Sequence, residues 1–323
     1  MPRAIRIERT GGPDVLELVD FDTPAPGPGE ALISQRVIGV NFIDTYHRSG
    51  LYPLPLPSGL GVEAAGVVEA VGPDVSNLEL GTRVAYAGGP PGAYAEKRVL
   101  PADRLVALPD EIDDEQAAAV LLKGMTVEAL IQRVAPVRSG DTVLLHAAAG
   151  GVGLLACQWL SSLGVRVIAT VGSDAKAALV RKNGAAEVIV TGREDFVERV
   201  KALTSGRGVR IVYDGVGQAT VPGSLECLEQ RGILAVFGNA SGKPEPIDVG
   251  ILAKASLSVA RPVLFHYIAT REELVQSANA VFAALRDGRI HVHIGQRFPL
   301  SEAVWAHTAL EARSTVGATL LLP

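Results

Sequence analysis

Cysteine is almost missing. Cys157 and Cys227 are the only two among 323 residues, far apart and outside any C-x-x-C spacing. They cannot build a disulfide framework or a structural zinc site by themselves. Cys157 falls inside an apolar helical pattern, the setting of an inert core thiol rather than a nucleophile. No uninterrupted apolar stretch is long enough to span a bilayer, and MPRAIRIERTGGP at the start carries no signal-peptide apolar core. A cytoplasmic protein without a membrane partner is expected. An excess of basic charge is lacking too: 30 Lys and Arg against 35 Asp and Glu leave a net charge of −5, which weighs against nucleic acid as a partner. The six histidines form no H-E-x-x-H pattern. Their one close pair, His291 and His293 in RIHVHIGQ, would share one side of a strand, but no third ligand accompanies them, so no metal is expected.

What the chain does have is turns and two textures. It is 48% hydrophobic with 35 glycines and 20 prolines, a globular composition with length for two domains. Up to about residue 125 short β-rich runs (AIRIER, EALISQRVIGVN, AAGVVEAVG, TRVAYAG, AEKRVL) are broken by turn clusters such as TPAPGPGE and GPPG. From DTVLLHA to ILAVFGN apolar strand runs alternate with helical stretches, the pattern of a doubly wound parallel sheet. Beyond about residue 260 come an amphipathic helix in TREELVQSANAVFAALRDG, a strand at IHVHIG, a helix near SEAVWAHTALE and the apolar run GATLLLP, a tail expected to return to the first domain.

The stretch HAAAGGVG, residues 146–153, stands between an apolar strand and a helix. In the G-x-G-x-x-G fingerprint the first glycine eases a tight turn, the second admits pyrophosphate to the backbone and the third lets the helix pack closely. Gly150 and Gly153 fill the second and third places, Gly151 opens the helix, and Ala148 holds the first, where alanine serves if φ stays negative. Pyrophosphate would rest on the helix start. About twenty residues on, where NAD sites place an acidic residue, the strand ends in Gly172 and Ser173 without a carboxylate, with Lys176 following. Room, a hydroxyl and a cation suit a 2'-phosphate and hence NADPH; the alternative is that Ser173 caps a helix and Lys176 is a solvated surface lysine.

GVNFIDTYHRSGLYPLPLPSGLGVEAAGVVEAVG, LLKGMTV, HAAAGGVGLLACQW, VYDGVG and VFGNASG, in this order and spacing, resemble the bacterial quinone oxidoreductases of the zeta-crystallin type, in the medium-chain dehydrogenase/reductase superfamily. The resemblance covers essentially the whole chain. It implies an α/β protein: a GroES-like β-rich catalytic domain over residues 1–125, completed by 262–323, and a Rossmann doubly wound parallel sheet domain over 126–261 that binds NADPH, with the active site in the cleft between them. It implies Asn41, Tyr46 and Tyr52 at the catalytic end, Asn41 also touching the cofactor. The same resemblance assigns Lys123, Thr126, Ala149, Gly150, Gly151, Val152, Gly153, Gly172, Ser173, Lys176, Asp214, Gly215, Phe237, Gly238, Asn239, Arg261 and Arg313 to the cofactor.

Departures from the family pattern carry information as well. Zinc-dependent relatives read Gly-His-Glu where this chain has Gly61, Val62 and Glu63, and their cysteine ligands are absent, so a zinc-free enzyme is implied. Thr191 stands where a tyrosine is common, with Arg193 nearby to compensate at the 2'-phosphate, and Thr82 replaces the usual aspartate of a local turn. The expected activity is NADPH-dependent reduction of a hydrophobic quinone by a homodimer, paired through SLSVARPVLF of the Rossmann domain. Two alternatives stay open on the residues alone: an enone or alkenal reductase, and a low-turnover NADPH-binding protein with a regulatory or RNA-contacting role.

Overall fold

The computed structural model describes residues 1–76 and 78–323. The chain groups into two compact units, one of Met1–Lys123, Ile268–Phe282 and Val292–Pro323, the other of Gly124–Tyr267 and Ala283–His291. These limits differ from the expected 125 and 262. Residues 283–291 group with the second unit because the segment is tied to helix Gly151–Ser162: His291 N donates to Gln158 Oε1 at 2.6 Å, Gln158 Nε2 returns a bond to His291 O at 3.2 Å, and the Arg289 guanidinium lies 6.0 Å from the Trp159 ring centre.

In the first unit the strand Glu30–Val40 is the spine. Its first half alternates, with Ala31 and Ile33 buried between half-buried neighbours, and residues 37–40 are buried continuously. This is the change from a one-faced to a two-faced strand. It pairs antiparallel with Glu63–Val71, Lys97–Pro101 and Ala318–Leu322. The GATLLLP run therefore does return to the N-terminal sheet, and Ile294–Pro299 lies parallel beside it. The expected strand at IHVHIG begins only at Ile294, so His291 and His293 precede it. A smaller sheet of Glu17–Asp20, Arg3–Ile7 and Ser58–Gly59 shares the core, where Ile5, Ile7, Ile33, Leu60, Val84 and Leu321 are buried. Each such aliphatic side chain, moved fully from water, is worth about 1.5–3 kcal/mol.

The second unit is a six-stranded sheet in which every pairing is parallel. From one edge its strands are Glu187–Val190, Arg166–Val171, Thr142–Leu145, Val209–Asp214, Leu228–Val236 and Ser258–Ala260. Leu144, Ile168, Ile189, Val212 and Leu234 form its core. Strand order reverses between Thr142–Leu145 and Val209–Asp214, and the crevice outside the carboxyl ends of such strands is where ligands bind in open α/β sheets. The glycine turn starts at that point.

Candidate active site

The chain leaves the strand Thr142–Leu145 and enters helix Gly151–Ser162 through five residues. The left-handed backbone that tightens this turn sits at Ala147, φ +52°, one residue before the first-glycine position, which is why Ala148 is tolerated there. Gly150 is the helix N-cap in extended conformation, and no side chain caps the helix start, so its first amides are offered to an anion. Gly153 is required by packing, since a Cβ there would lie 2.6 Å from the Ala148 backbone. Ala149 is buried, whereas Gly151 and Val152 are half-buried at the helix start.

At the end of strand Arg166–Val171, Gly172 is exposed and a Cβ on it would meet nothing within 4 Å. Ser173 is the N-cap of helix Asp174–Lys182 yet its side chain makes no cap hydrogen bond, which speaks against a purely capping role. Lys176 is half-buried on the first turn. Arg193 is paired with Asp174 at 2.5 Å, both side chains well exposed, and Thr191 Oγ1 donates to Val171 O at 3.3 Å.

Asp214 closes the next strand, and its carboxylate is wholly turned inward. Oδ1 accepts from Val216 N, Gly217 N and Thr220 Oγ1 at 2.8–2.9 Å, and Oδ2 from Ser224 Oγ at 2.9 Å. The carboxylate shapes the loop, leaving backbone to face a ligand. Gly215 and Gly238 are pressed together: a Cβ on Gly238 would lie 2.4 Å from Gly215 O, and one on Gly215 2.9 Å from the Phe237 ring. Asn239 is buried, and Arg261 Nη1 donates to Val236 O at 3.0 Å. Sequence reasoning missed His146, buried with its ring nitrogens 3.0 Å from Thr170 Oγ1 and Ser224 Oγ. Burial pushes its pKa down, so it is a neutral tie between strand ends. Thr126 is half-buried on helix Asp114–Ala129.

In the first unit Asn41 stands at the end of strand Glu30–Val40 and is the N-cap of helix Phe42–Ser49. Its backbone N donates to Asp44 Oδ2 at 2.8 Å, and its side-chain Nδ2 donates to Glu63 Oε2 at 2.8 Å. Glu63 is fully buried and also accepts from Leu122 N at 2.6 Å and Lys123 Nζ at 3.1 Å. Tyr46 and Tyr52 meet edge to face with ring centres 5.2 Å apart, and Phe42 and His47 extend the cluster. A spacing of six residues turns into contact because Tyr52 N bonds back to Tyr46 O at 3.0 Å after the left-handed Gly50 ends the helix. Arg313, at φ +55°, lies beyond helix Ala303–Glu311 in the same unit.

Behind Asn41 runs a buried polar chain for which the sequence offered no spacing signal. Tyr94 Oη donates to Asp44 Oδ2 at 2.9 Å and lies 3.0 Å from His307 Nε2, while His307 Nδ1 is 3.1 Å from Arg48 Nη1. Arginine only donates, so Nδ1 accepts, Nε2 carries the proton, and Tyr94 receives it. Arg48 itself, buried, forks onto Glu311 at 2.6 and 3.0 Å. Burial pushes the Asp44 carboxyl up to about 7, and burial with the Arg48 charge pushes His307 down to about 3.

With this geometry in view, residues 27–110 match the alcohol dehydrogenase GroES-like domain and residues 151–280 the zinc-binding dehydrogenase family. The chain is 52% identical to the quinone oxidoreductase of Pseudomonas aeruginosa over the full length of both. It is 47% identical to the Escherichia coli quinone oxidoreductase solved in complex with NADPH, with a TM-score of 0.97 over 99% of this chain and 100% of that one. It is also 41% identical to a 2-haloacrylate reductase from Burkholderia, over 100% of this chain and 99% of that protein. The chain belongs to the quinone oxidoreductase family.

Within that family's wider superfamily, the zinc-binding description does not fit the residues present. Val62, buried, has no donor atom, Glu63 is bonded to three donors, and burial pushes both cysteine thiols up to about 12. Among the described residues no group of three or more His, Cys, Asp and Glu is placed to hold a metal ion. No helix among the described residues is long and apolar enough to cross a membrane.

Proposed function

We propose that this chain is an NADPH-dependent quinone reductase working by hydride transfer that uses no metal. The observation that carries the reading is the full-length identity of 52% to an enzyme of that name, joined to a solved relative that holds NADPH. Bound nicotinamide supplies the hydride. With one proton from solvent, two electrons and two hydrogens reach the quinone, and the products are the hydroquinone and NADP⁺.

The chain's own residues bind, orient and exclude water. Gly151 and Val152 present uncapped amides to the pyrophosphate, Gly150, its own N–H closing the turn on Ala147 O at 3.1 Å, brings bare backbone up to it, and Ala149 and Gly153 hold the helix close to the sheet. Gly172 leaves room for the ribose 2'-phosphate, which Ser173, Lys176 and Arg193 meet. Arg193 gives up little in leaving Asp174, because an exposed ion pair is worth about 0–1 kcal/mol. The backbone of Asp214 and Gly215, with Phe237, Gly238 and Asn239, supports the rest of the cofactor, and Thr126, Lys123, Arg261 and Arg313 are the remaining contacts. Asn41 hydrogen-bonds at the reacting end, and Tyr46 and Tyr52 offer aromatic faces and phenol hydroxyls to the quinone. A conjugated acceptor needs orientation and stabilisation of charge on its oxygen more than a strong acid.

Reduction of an activated alkene is the second reading, favoured by the 41% identity to a 2-haloacrylate reductase. The working form is a cytoplasmic homodimer. Its support is the strand Ser258–Ala260 at the edge of the parallel sheet, with a partner on one side only among the described residues, and two free buried thiols that suit a reducing compartment.

The test is anaerobic NADPH consumption by chelator-treated protein with an ortho-quinone, a para-quinone and a simple enone, with NADH in parallel. Quinone-dependent oxidation of NADPH, faster than of NADH, is expected. Turnover with the enone alone would transfer the chain to the alkene reductases, and binding without turnover would make it a cofactor-binding protein.

A further inference from the structure

Glu63 is a fully buried carboxylate bonded to three donors. Gly39 faces it closely: a Cβ there would lie 2.3 Å from the Ala118 backbone O and 2.4 Å from Glu63 Oε2. Oε2 takes the Asn41 amide at 2.8 Å and the Lys123 ammonium at 3.1 Å, and Oε1 takes Leu122 N at 2.6 Å. With Nδ2 donating to Glu63 Oε2 at 2.8 Å and to Gly39 O at 3.3 Å, the Asn41 amide is fixed in one orientation. Lys123, its side chain only 6% exposed, has the Glu63 carboxylate 3.1 Å from Nζ, and the Asp44 carboxyl lies within electrostatic range of both. Next to them, Val62 stands where the zinc-dependent pattern has histidine.

We infer that Glu63 is a positioning residue for the reaction, fixing the Asn41 amide and the Lys123 side chain in the orientation that hydride transfer to the quinone requires. The inference rests on the quinone-reductase reading. It adds a residue outside the expected site and gives Lys123 an electrostatic role toward the charge that gathers on the substrate oxygen.

Chemistry makes the inference testable by Glu63→Gln. A glutamine has one acceptor oxygen where the carboxylate serves donors on both oxygens. Turned toward Leu122 N, it points its NH₂ at Asn41 Nδ2 and Lys123; turned the other way, it sets NH₂ against the Leu122 N–H. Either pose leaves donor facing donor and the buried ammonium without a counter-charge. In Glu63→Gln/Lys123→Met the two buried charges leave together and a single donor–donor contact, at Asn41 or at Leu122 N, is all that remains.

Thermal stability, NADPH affinity by cofactor fluorescence, and kcat are to be measured for wild type and both variants. The single variant is expected to lose stability and to lose about tenfold to a hundredfold in kcat. Its NADPH affinity should stay within about threefold, a split between binding and kcat that a merely structural loss would not produce. The double variant is expected to regain part of that stability without regaining kcat. Wild-type kcat in either variant, or equal loss of NADPH affinity and kcat, would overturn the positioning role. A wild-type protein that binds NADPH and reduces no quinone would instead overturn the functional reading, and this inference with it.

Discussion

Folding moves a proton between two side chains of the first unit. Asp44, pushed up to about 7, keeps its proton in the folded protein while an unfolded aspartate loses it near 4. As pH rises from about 4 to 7 the unfolded chain releases a proton that the folded chain holds, so this group alone makes stability fall with rising pH. His307 is pushed down to about 3, so the folded chain refuses a proton that the unfolded chain binds below about 6.5, and stability falls as pH drops through that range. Between about pH 4 and 6.5 the folded protein holds neutral Asp44 and neutral His307, the unfolded chain holds both charged, and the slopes cancel. His307→Gln removes one slope. Urea unfolding of that variant at pH 4.5 and 6.5 should show it losing roughly 1–3 kcal/mol on going to the higher pH relative to wild type; parallel behaviour would show that Asp44 does not hold its proton.

Among the elements, the glycine turn makes separate demands on two of its neighbours. Gly153→Ala drives a methyl into the Ala148 backbone and should cost about 1–3 kcal/mol, read as a lower Tm, together with weaker NADPH binding. Gly172→Ala meets open space and ordinary φ, so Tm should be unchanged while NADPH affinity falls, because the methyl occupies the room assigned to the ribose phosphate. A common drop in Tm for both would remove the distinction. The turn was legible in the sequence because glycine roles are local: HAAAGGVG follows an apolar strand and opens an apolar helix. That the strained residue is Ala147 and not Ala148 was not legible, since composition does not say where a tight turn places its positive φ. Asp214 shows the same limit, its position at a strand end being readable but not the turning of its carboxylate into its own loop.

For the whole molecule, the change of texture near residue 125, the alternation after it and the return of the tail were all visible as hydrophobic periodicity. What escaped the sequence depends on residues far apart in the chain. Glu63 meets Lys123 across sixty positions, and Tyr94 meets His307 across 213. No window of sequence contains such pairs, and the polar chain behind Asn41 therefore had no sequence signal. The edge strand Ser258–Ala260 carries the prediction at this scale: sedimentation equilibrium should return twice the 33.7 kDa of the chain, and a single-chain mass at working concentration would contradict the dimer. The strand Ala318–Leu322 sits inside its sheet, between Ile294–Pro299 and Glu30–Val40. During synthesis the second unit is complete once His291 has emerged, whereas the first, most of whose strands are made earlier, must wait for Ala318–Leu322. Until then the nascent protein carries an open seam at Ile38–Val40, and chaperone capture, stalling or a late frameshift would strike the unit whose closure comes last.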